Sequence, residues 1–426
     1  MKLRLLTTLL LFGFNTSFVQ GNEVPLPYPQ DLPPLAEALL AIRQAPSAVT
    51  AQILIEAETA NRDSLEAGPH EWAVRIDGSR RNTAASQANP SQSSNEWRAA
   101  VERPFRLPGK AAIDAEMGAQ GITQAKAAFG EALHERARAL LKGWFSWLRE
   151  REAVRQWTLQ TESLSKQQQA TQRRVQLGDA PRLELLQSEA ATALAQAALE
   201  QARLRASLAG VELGGHFPAV KLPDEVPLST PQPIEGSLAE WREQMLEHNH
   251  ELALAQAQTQ SARLLARRAA AERTPDPSVG FHLGADRGGE ERLRGISVSM
   301  PFPGQARAAN SRRETALAVA SAQREAAAVA RINAEITSGF VSAQAAHESW
   351  RRAEDAAQRI EQASALTARA RMLGEAGLSD LLLAQRQANE ARLAANTARL
   401  DALEARYRLY VDTHRLWPYA DQQHDK

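Results

Sequence analysis

The chain of 426 residues has no cysteine, which excludes structural disulfides and thiolate metal sites and removes the residue a bacterial lipoprotein needs at its mature N-terminus. Neither sign of charge is in excess, with 50 basic against 50 acidic residues, so bulk charge gives no hold on a polyanion and nucleic-acid binding is not expected. Glycine-rich phosphate loops, nucleophile elbows and zinc signatures are missing too. No enzyme activity, cofactor or metal site is therefore assigned. His248 and His250 flank one asparagine on an expected helix, which turns them to different faces, and the other histidines are scattered, so surface or interhelical contact is their expected role. Beyond the N-terminus no run approaches the roughly 20 apolar residues of a membrane-spanning helix.

Proline is absent from two long stretches, and that absence is informative. Gly109 to Gly178 (178 − 109 = 69) and Gly304 to Gly374 (374 − 304 = 70) contain none. In the first, Ile122, Ala125, Phe129, Leu133, Ala137, Leu140, Trp144, Trp147 and Val154 recur at helical spacing, and Trp144, Trp147 and Trp157 are expected between helices. One continuous helix of that length would reach about 100 Å at ~1.5 Å per residue, more than a compact domain of this size allows.

What is present is a duplication. Leu177-Gly178-Asp179-Ala180 and Leu373-Gly374-Glu375-Ala376 are each followed by an acid and a Leu-Leu pair, at an offset of 374 − 178 = 196. Val101 to Phe105 faces Val298 to Phe302 at 298 − 101 = 197, and Leu35-Ala36-Glu37 faces Leu238-Ala239-Glu240 at 238 − 35 = 203. Each glycine suits a left-handed helix end and Pro181 the first turn of the next helix, so each copy reads as the tip of a helical hairpin.

The chain divides accordingly. Residues 1–21 carry Lys2, Arg4 and an apolar run, read as a signal peptide cleaved near Gly21. Residues 22–213 form a first repeat, 214–236 a proline-rich linker, 237–417 a second repeat and 418–426 a disordered tail. Within the first repeat, Leu35 to about Leu65 is helical with a break at Pro46. Trp72, Val74, Ile76 and Trp97, Ala99, Val101 have strand period, around a polar loop from Asn82 to Asn95. The return helix carries a stripe of Leu186, Ala190, Ala193, Ala197, Leu204, Leu208 and Val211 and stops at Gly214-Gly215. Ser237 to Glu272 is read as helix that completes the return path. Val279, Phe281, Leu283 and Ile296, Val298, Met300 form a second strand pair, and Ala384, Ala388, Ala391, Ala395, Ala398, Ala402, Ala405 and Leu409 make an alanine seam after the second tip.

Four strands are too few to close a barrel in lipid, where an open edge is not tolerated. Two readings stand at this point: strands completed by further copies of the chain, or a small soluble sheet capping a coiled coil. The corresponding functional rivals are a pore subunit and an exported scaffold or periplasmic adaptor without a pore.

The duplication, the strands ending in Pro104-Phe105 and Pro301-Phe302, the glycine tips and the alanine-rich helix after Asp380 together resemble the TolC-like outer membrane efflux proteins, over nearly the whole mature chain. The resemblance implies a mainly α fold with a small β part. Duplicated helical hairpins would form a coiled-coil tunnel, and four strands per chain would enter a trimeric, twelve-stranded outer membrane β-barrel. It further implies a homotrimer in outer membrane lipid of a Gram-negative bacterium, with a long periplasmic portion. A periplasmic adaptor would dock it to an inner-membrane transporter of the RND type. Leu177, Gly178, Asp179, Leu373, Gly374 and Glu375 then become adaptor-docking candidates, and Glu184 and Asp380, each six residues past a tip glycine, gate candidates. An acid in a helix's first turn is equally accounted for by the helix dipole. The stretch from Gly374 to Arg386 is similar to metal-efflux members, and drug-efflux and secretion members share most of it.

Overall fold

The computed structural model describes residues 28–85 and 90–417; the expected signal peptide and tail lie outside them. The element order is α1 (Leu35–Arg43), α2 (Pro46–Ala67), β1 (Ala73–Thr83), β2 (Gln92–Pro104), α3 (Pro108–Gln176), α4 (Arg182–His216), α5 (Leu238–Glu247), α6 (His250–Ala271), β3 (Ser278–Asp286), β4 (Glu291–Ser299), α7 (Gln305–Leu373) and α8 (Leu378–Asp412). Both proline-free stretches are single helices of 69 residues, each about 100 Å long. Both return helices have 35 residues, and α2 and α6 have 22 each. The duplication is thus one of lengths as well as of motifs.

Three expectations change in detail. The stretch read as one helix from Ser237 breaks between α5 and α6, where the Asn249 side chain accepts from the Leu252 amide at 2.7 Å and caps α6. The polar loop from Asn82 shrinks, because Asn82 pairs with Ser93 and Thr83 with Gln92 in the β1–β2 ladder. Helix α4 continues through Gly214 and Gly215 to His216, its glycines kept helical by the backbone bonds that run on to Phe217.

Helix α3 packs against α4 toward the tips and against α2 and α6 toward the sheet, while α7 packs against α8, α5 and α6. The short helices therefore form a belt around the sheet-side halves of the long ones. Under it lies the main core, with Trp144, Phe145, Leu140 and Leu141 of α3 against Ile42, Leu400, Leu403 and Val411. A second cluster joins Trp241 and Met245 of α5 to Ile332, Ile336 and Phe340 of α7. The fully buried Asp31 knots the chain here. Its carboxylate accepts from Tyr407 Oη at 2.8 Å and from the Ser229 amide at 3.3 Å, and its carbonyl accepts from Trp144 Nε1 at 2.7 Å.

The four strands make one antiparallel sheet in the order β1-β2-β3-β4, in which β2 and β3 join the two repeats. At its helical end sits a buried ionic cluster. Lys110, only 2 % exposed, places Nζ 2.9 Å from Asp276 and 3.2 Å from Glu272, while Arg268 and Arg106 hold Asp114 at 2.5 and 3.0 Å. Glu272 also accepts from Arg307 at 2.6 Å, so α3, α6 and α7 are locked together where helices become strands.

Candidate pore sheet and helical tips

The pairing register sorts the sheet into two chemically different faces. Val74, Val101, Phe281 and Ile296 lie directly across from one another through all four strands, and one step along Ile76, Ala99 and Leu283 align across β1 to β3, with Arg294 facing Leu283 from β4. The opposite face brings Arg75, Ala100, His282 and Gly295 into one row and Glu102, Gly280 and Ser297 into another. The apolar row is open: Val74 is 67 % exposed and Ile296 75 %. Strands of 9 to 13 residues are long enough to cross a bilayer at the tilt barrels adopt. Near the helical end Trp72, Phe105 and Phe302 are exposed, as aromatic residues at a lipid–water boundary are. Strands β1 and β4 are edges with no partner in this chain among the described residues.

Helix α4 repeats the theme. Its contact with the rest of the chain is made by small residues, Ser188, Thr192, Ala195, Ala202 and Ala206, together with Leu199 and Leu213. Leu186, Leu204, Leu208 and Val211 of the stripe read from the sequence point away and are 52 to 71 % exposed.

At the far end both tips close in the same way. Gly178 and Gly374 have φ of +82° and +83°, and the amides of Asp179 and Glu375 donate back to the carbonyls of Arg174 and Ala370 at 2.8 and 2.9 Å. This pattern satisfies the last helical carbonyls and needs the left-handed conformation at glycine. Open space surrounds both positions, so conformation alone demands the residue. Leu177 and Leu373 stand 77 % and 67 % exposed beside them, flanked by Asp179 and Glu375. Pro181 serves as the N-cap of α4, one position ahead of its expected place in the first turn.

The two gate candidates occupy unlike environments. Asp380 is exposed, and its Oδ2 accepts from the Gly377 amide at 3.1 Å, capping its own helix. Glu184 is held by the other hairpin: its Oε2 accepts from Arg371 Nη2 at 2.5 Å, with Arg174 Nη1 of its own hairpin at 3.8 Å. Arg371 also donates to the Ala376 carbonyl at 3.3 Å, and Ser379 Oγ lies 3.4 Å from Gln187 Oε1. The tips are thereby tied to each other within one chain. Arg371, Gln187 and Ser379 were not singled out by sequence. The signal for Arg371 is a break in the repeat, since 371 − 196 = 175 and position 175 is valine.

The histidines are less scattered than the sequence implied. His134, His248 and His250 gather around His414, because the chain breaks at Asn249 and the two flanking rings belong to different helix ends. Among the described residues no group of three or more His, Cys, Asp or Glu side chains has metal-binding geometry.

No protein-family profile and no curated protein sequence matches the chain. Solved structures do. The outer membrane protein VceC of Vibrio cholerae matches with a TM-score of 0.72 at 15 % identity, over 89 % of this chain and 95 % of that one. The CmeC outer membrane channel of Campylobacter jejuni gives 0.70 at 14 %, over 90 % and 85 %. The fold is that of outer membrane channels. The outer-membrane channel OprN gives 0.68 at 15 % identity over 90 % and 91 %, so the likeness spans hairpins, belt and sheet together.

Proposed function

We propose that the chain is one subunit of a passive outer membrane channel that conducts solutes from periplasm to exterior. Three copies close a barrel of 3 × 4 = 12 strands, β4 of one against β1 of the next, and their hairpins wall a periplasmic tunnel. The observation that carries this reading is the row Val74, Val101, Phe281 and Ile296, an apolar stripe across an unclosed sheet whose other face is polar. One chain can neither cover that stripe nor satisfy the two edges, whereas lipid and sister sheets do both. The exposed leucines of α4 supply a matching seam between hairpins of neighbouring subunits.

At the tips, Leu177 and Leu373 offer apolar contacts to a periplasmic adaptor, with Gly178, Asp179, Gly374 and Glu375 shaping the turns, and the adaptor links the channel to an inner-membrane pump. Glu184 and Asp380 divide the work of the gate. Glu184 holds the tips together through Arg371, while Asp380, whose carboxylate caps its own helix, brings negative charge to the mouth and collects cations. The tip helix from Gly374 to Arg386 favours metal ions as cargo, which deletion of the gene tests through tolerance to divalent metals and to hydrophobic drugs. The decisive experiment for the channel itself is fractionation with conductance. Protein that stays in the outer membrane through alkaline carbonate, runs as a trimer and forms discrete pores in planar bilayers supports it. A monomer that washes off and leaves bilayers silent refutes it in favour of a non-pore scaffold.

A further inference from the structure

The C-terminal turn after α8 is fastened to the junction of α5 and α6 by a nest of imidazoles. The His414 ring centroid lies 5.0 Å from that of His250, 5.6 Å from His134, against which it stacks, and 5.9 Å from His248. Space for the nest is built into α3, where a Cβ at Gly130 would collide with the His250 ring. His414 is bonded to the backbone of His248, and its φ of +58° lies in the left-handed region, uncommon for residues other than glycine. The residues after it complete the fastening. The Arg415 guanidinium sits 5.1 Å over the Trp241 ring and donates to Gln244 Oε1 at 2.7 Å, and Trp417 Nε1 donates to Tyr28 Oη at 2.9 Å.

We propose that this cluster is an acid-sensitive clasp: protonation of His414 drives its ring from the nest and frees residues 413–417 from the α5–α6 junction, loosening the helical belt. The titratable groups of the nest and of the pocket beside its His134 come from every neighbouring element. Helix α3 contributes Glu131, His134 and Arg138, and the α5–α6 junction His248, His250 and Glu251. Helix α7 contributes Glu335 and Arg331, which pairs with both Glu335 and Glu251, and α8 contributes Arg408 and Asp412. Asp412 is already engaged, accepting from Arg138 at 2.7 Å and lying 3.3 Å from His134, and Glu251 and Glu335 both pair with Arg331. Burial, and then the three neighbouring histidines, push the His414 pKa down to about 4, against the bond to His248 that favours its charged form. A ring with that depression stays neutral in the closed turn and takes up its proton on release, so the closed form is fully favoured above about pH 6.5 and loses ground as pH falls from there toward 4.

The test is hydrogen exchange by mass spectrometry on the full chain in detergent micelles, corrected for intrinsic rates, reading peptides that cover residues 238–255 and 407–417. One proton of linkage predicts about tenfold more frequent opening at pH 5.5 than at pH 7.5 in these peptides. His414→Gln flattens the dependence. His248→Gln, which removes one of the three neighbouring imidazoles but leaves the hub in place, shrinks it, and carries the test if His414→Gln does not assemble. An unchanged rate in the wild type over this range, a rise confined to pH below about 4.5 where carboxylates titrate, or the same rise in His414→Gln or His248→Gln overturns the clasp.

Discussion

Breaking the Arg371–Glu184 pair should open the tips, and the structure sets the size of the effect. Both side chains are largely buried, at 15 % and 18 % exposed, and the hydrogen bond joins two charged groups. Such bonds contribute roughly 1.5–3 kcal/mol, which the remaining solvent contact reduces to about 1–2 kcal/mol. That corresponds to a 5- to 30-fold shift, roughly, in the equilibrium between tied and separated tips of one chain. Arg371→Ala and Glu184→Gln should each raise mean single-channel conductance or open probability in planar bilayers. The exchanged pair, Arg371→Glu with Glu184→Arg, should restore part of the wild-type behaviour, since a double-mutant cycle isolates the link. If correctly assembled Arg371→Ala channels conduct as the wild type does, the tie does not hold the tips closed.

Asp380→Asn should leave the resting conductance nearly unchanged but weaken block by divalent and polyvalent cations, read from the same bilayers; undiminished block would remove Asp380 from the mouth. Val74→Arg places a charge in the apolar row and should cost about 2–4 kcal/mol at mid-bilayer depth, seen as loss of trimer from outer membranes, whereas His282→Arg on the polar face should assemble. Lys110→Met removes the cation shared by Asp276 and Glu272, which keep the Leu107 amide and the Arg268 and Arg307 guanidiniums, and should destabilise the junction by about 1.5–3 kcal/mol, measured as a lower Tm in detergent. Burial opposes ionisation of Glu272 and Asp276, yet bonds from Arg268, Arg307 and Lys110 to Glu272, and from Lys110, the Leu107 amide and His70 to Asp276, hold both carboxyls below the usual range. Their contribution is therefore complete above the ordinary carboxylate pKa and lost as pH falls below about 4, where Tm should drop.

The long arms were legible because a helix of 69 residues needs only uninterrupted periodicity and no proline, and the tips because a left-handed turn selects glycine. The break at Asn249 was less so, since no proline marks it. The duplication nevertheless pointed there: Pro46 plus the offset of 203 falls on residue 249, and carrying the break across would have separated His248 from His250. The α4 stripe shows a different limit. Periodicity located its leucines, but small residues make the tight contact inside the chain while the large ones face outward, and pattern alone does not say which stripe meets which neighbour. Gate chemistry was the least legible. Glu184 and Asp380 sit at matched positions, yet Arg371, 187 residues away in sequence, engages Glu184 while Asp380 turns back to cap its own helix.

Equal helix lengths put a constraint on how such a chain can change over generations. Adding one residue to α3 alone would advance its tip by ~1.5 Å and swing it by about a quarter turn, leaving one prong out of level and out of phase with the other. Insertions and deletions can therefore survive only as matched events in both arms, or in whole heptads balanced by the return helix, so length in this protein is inherited in pairs.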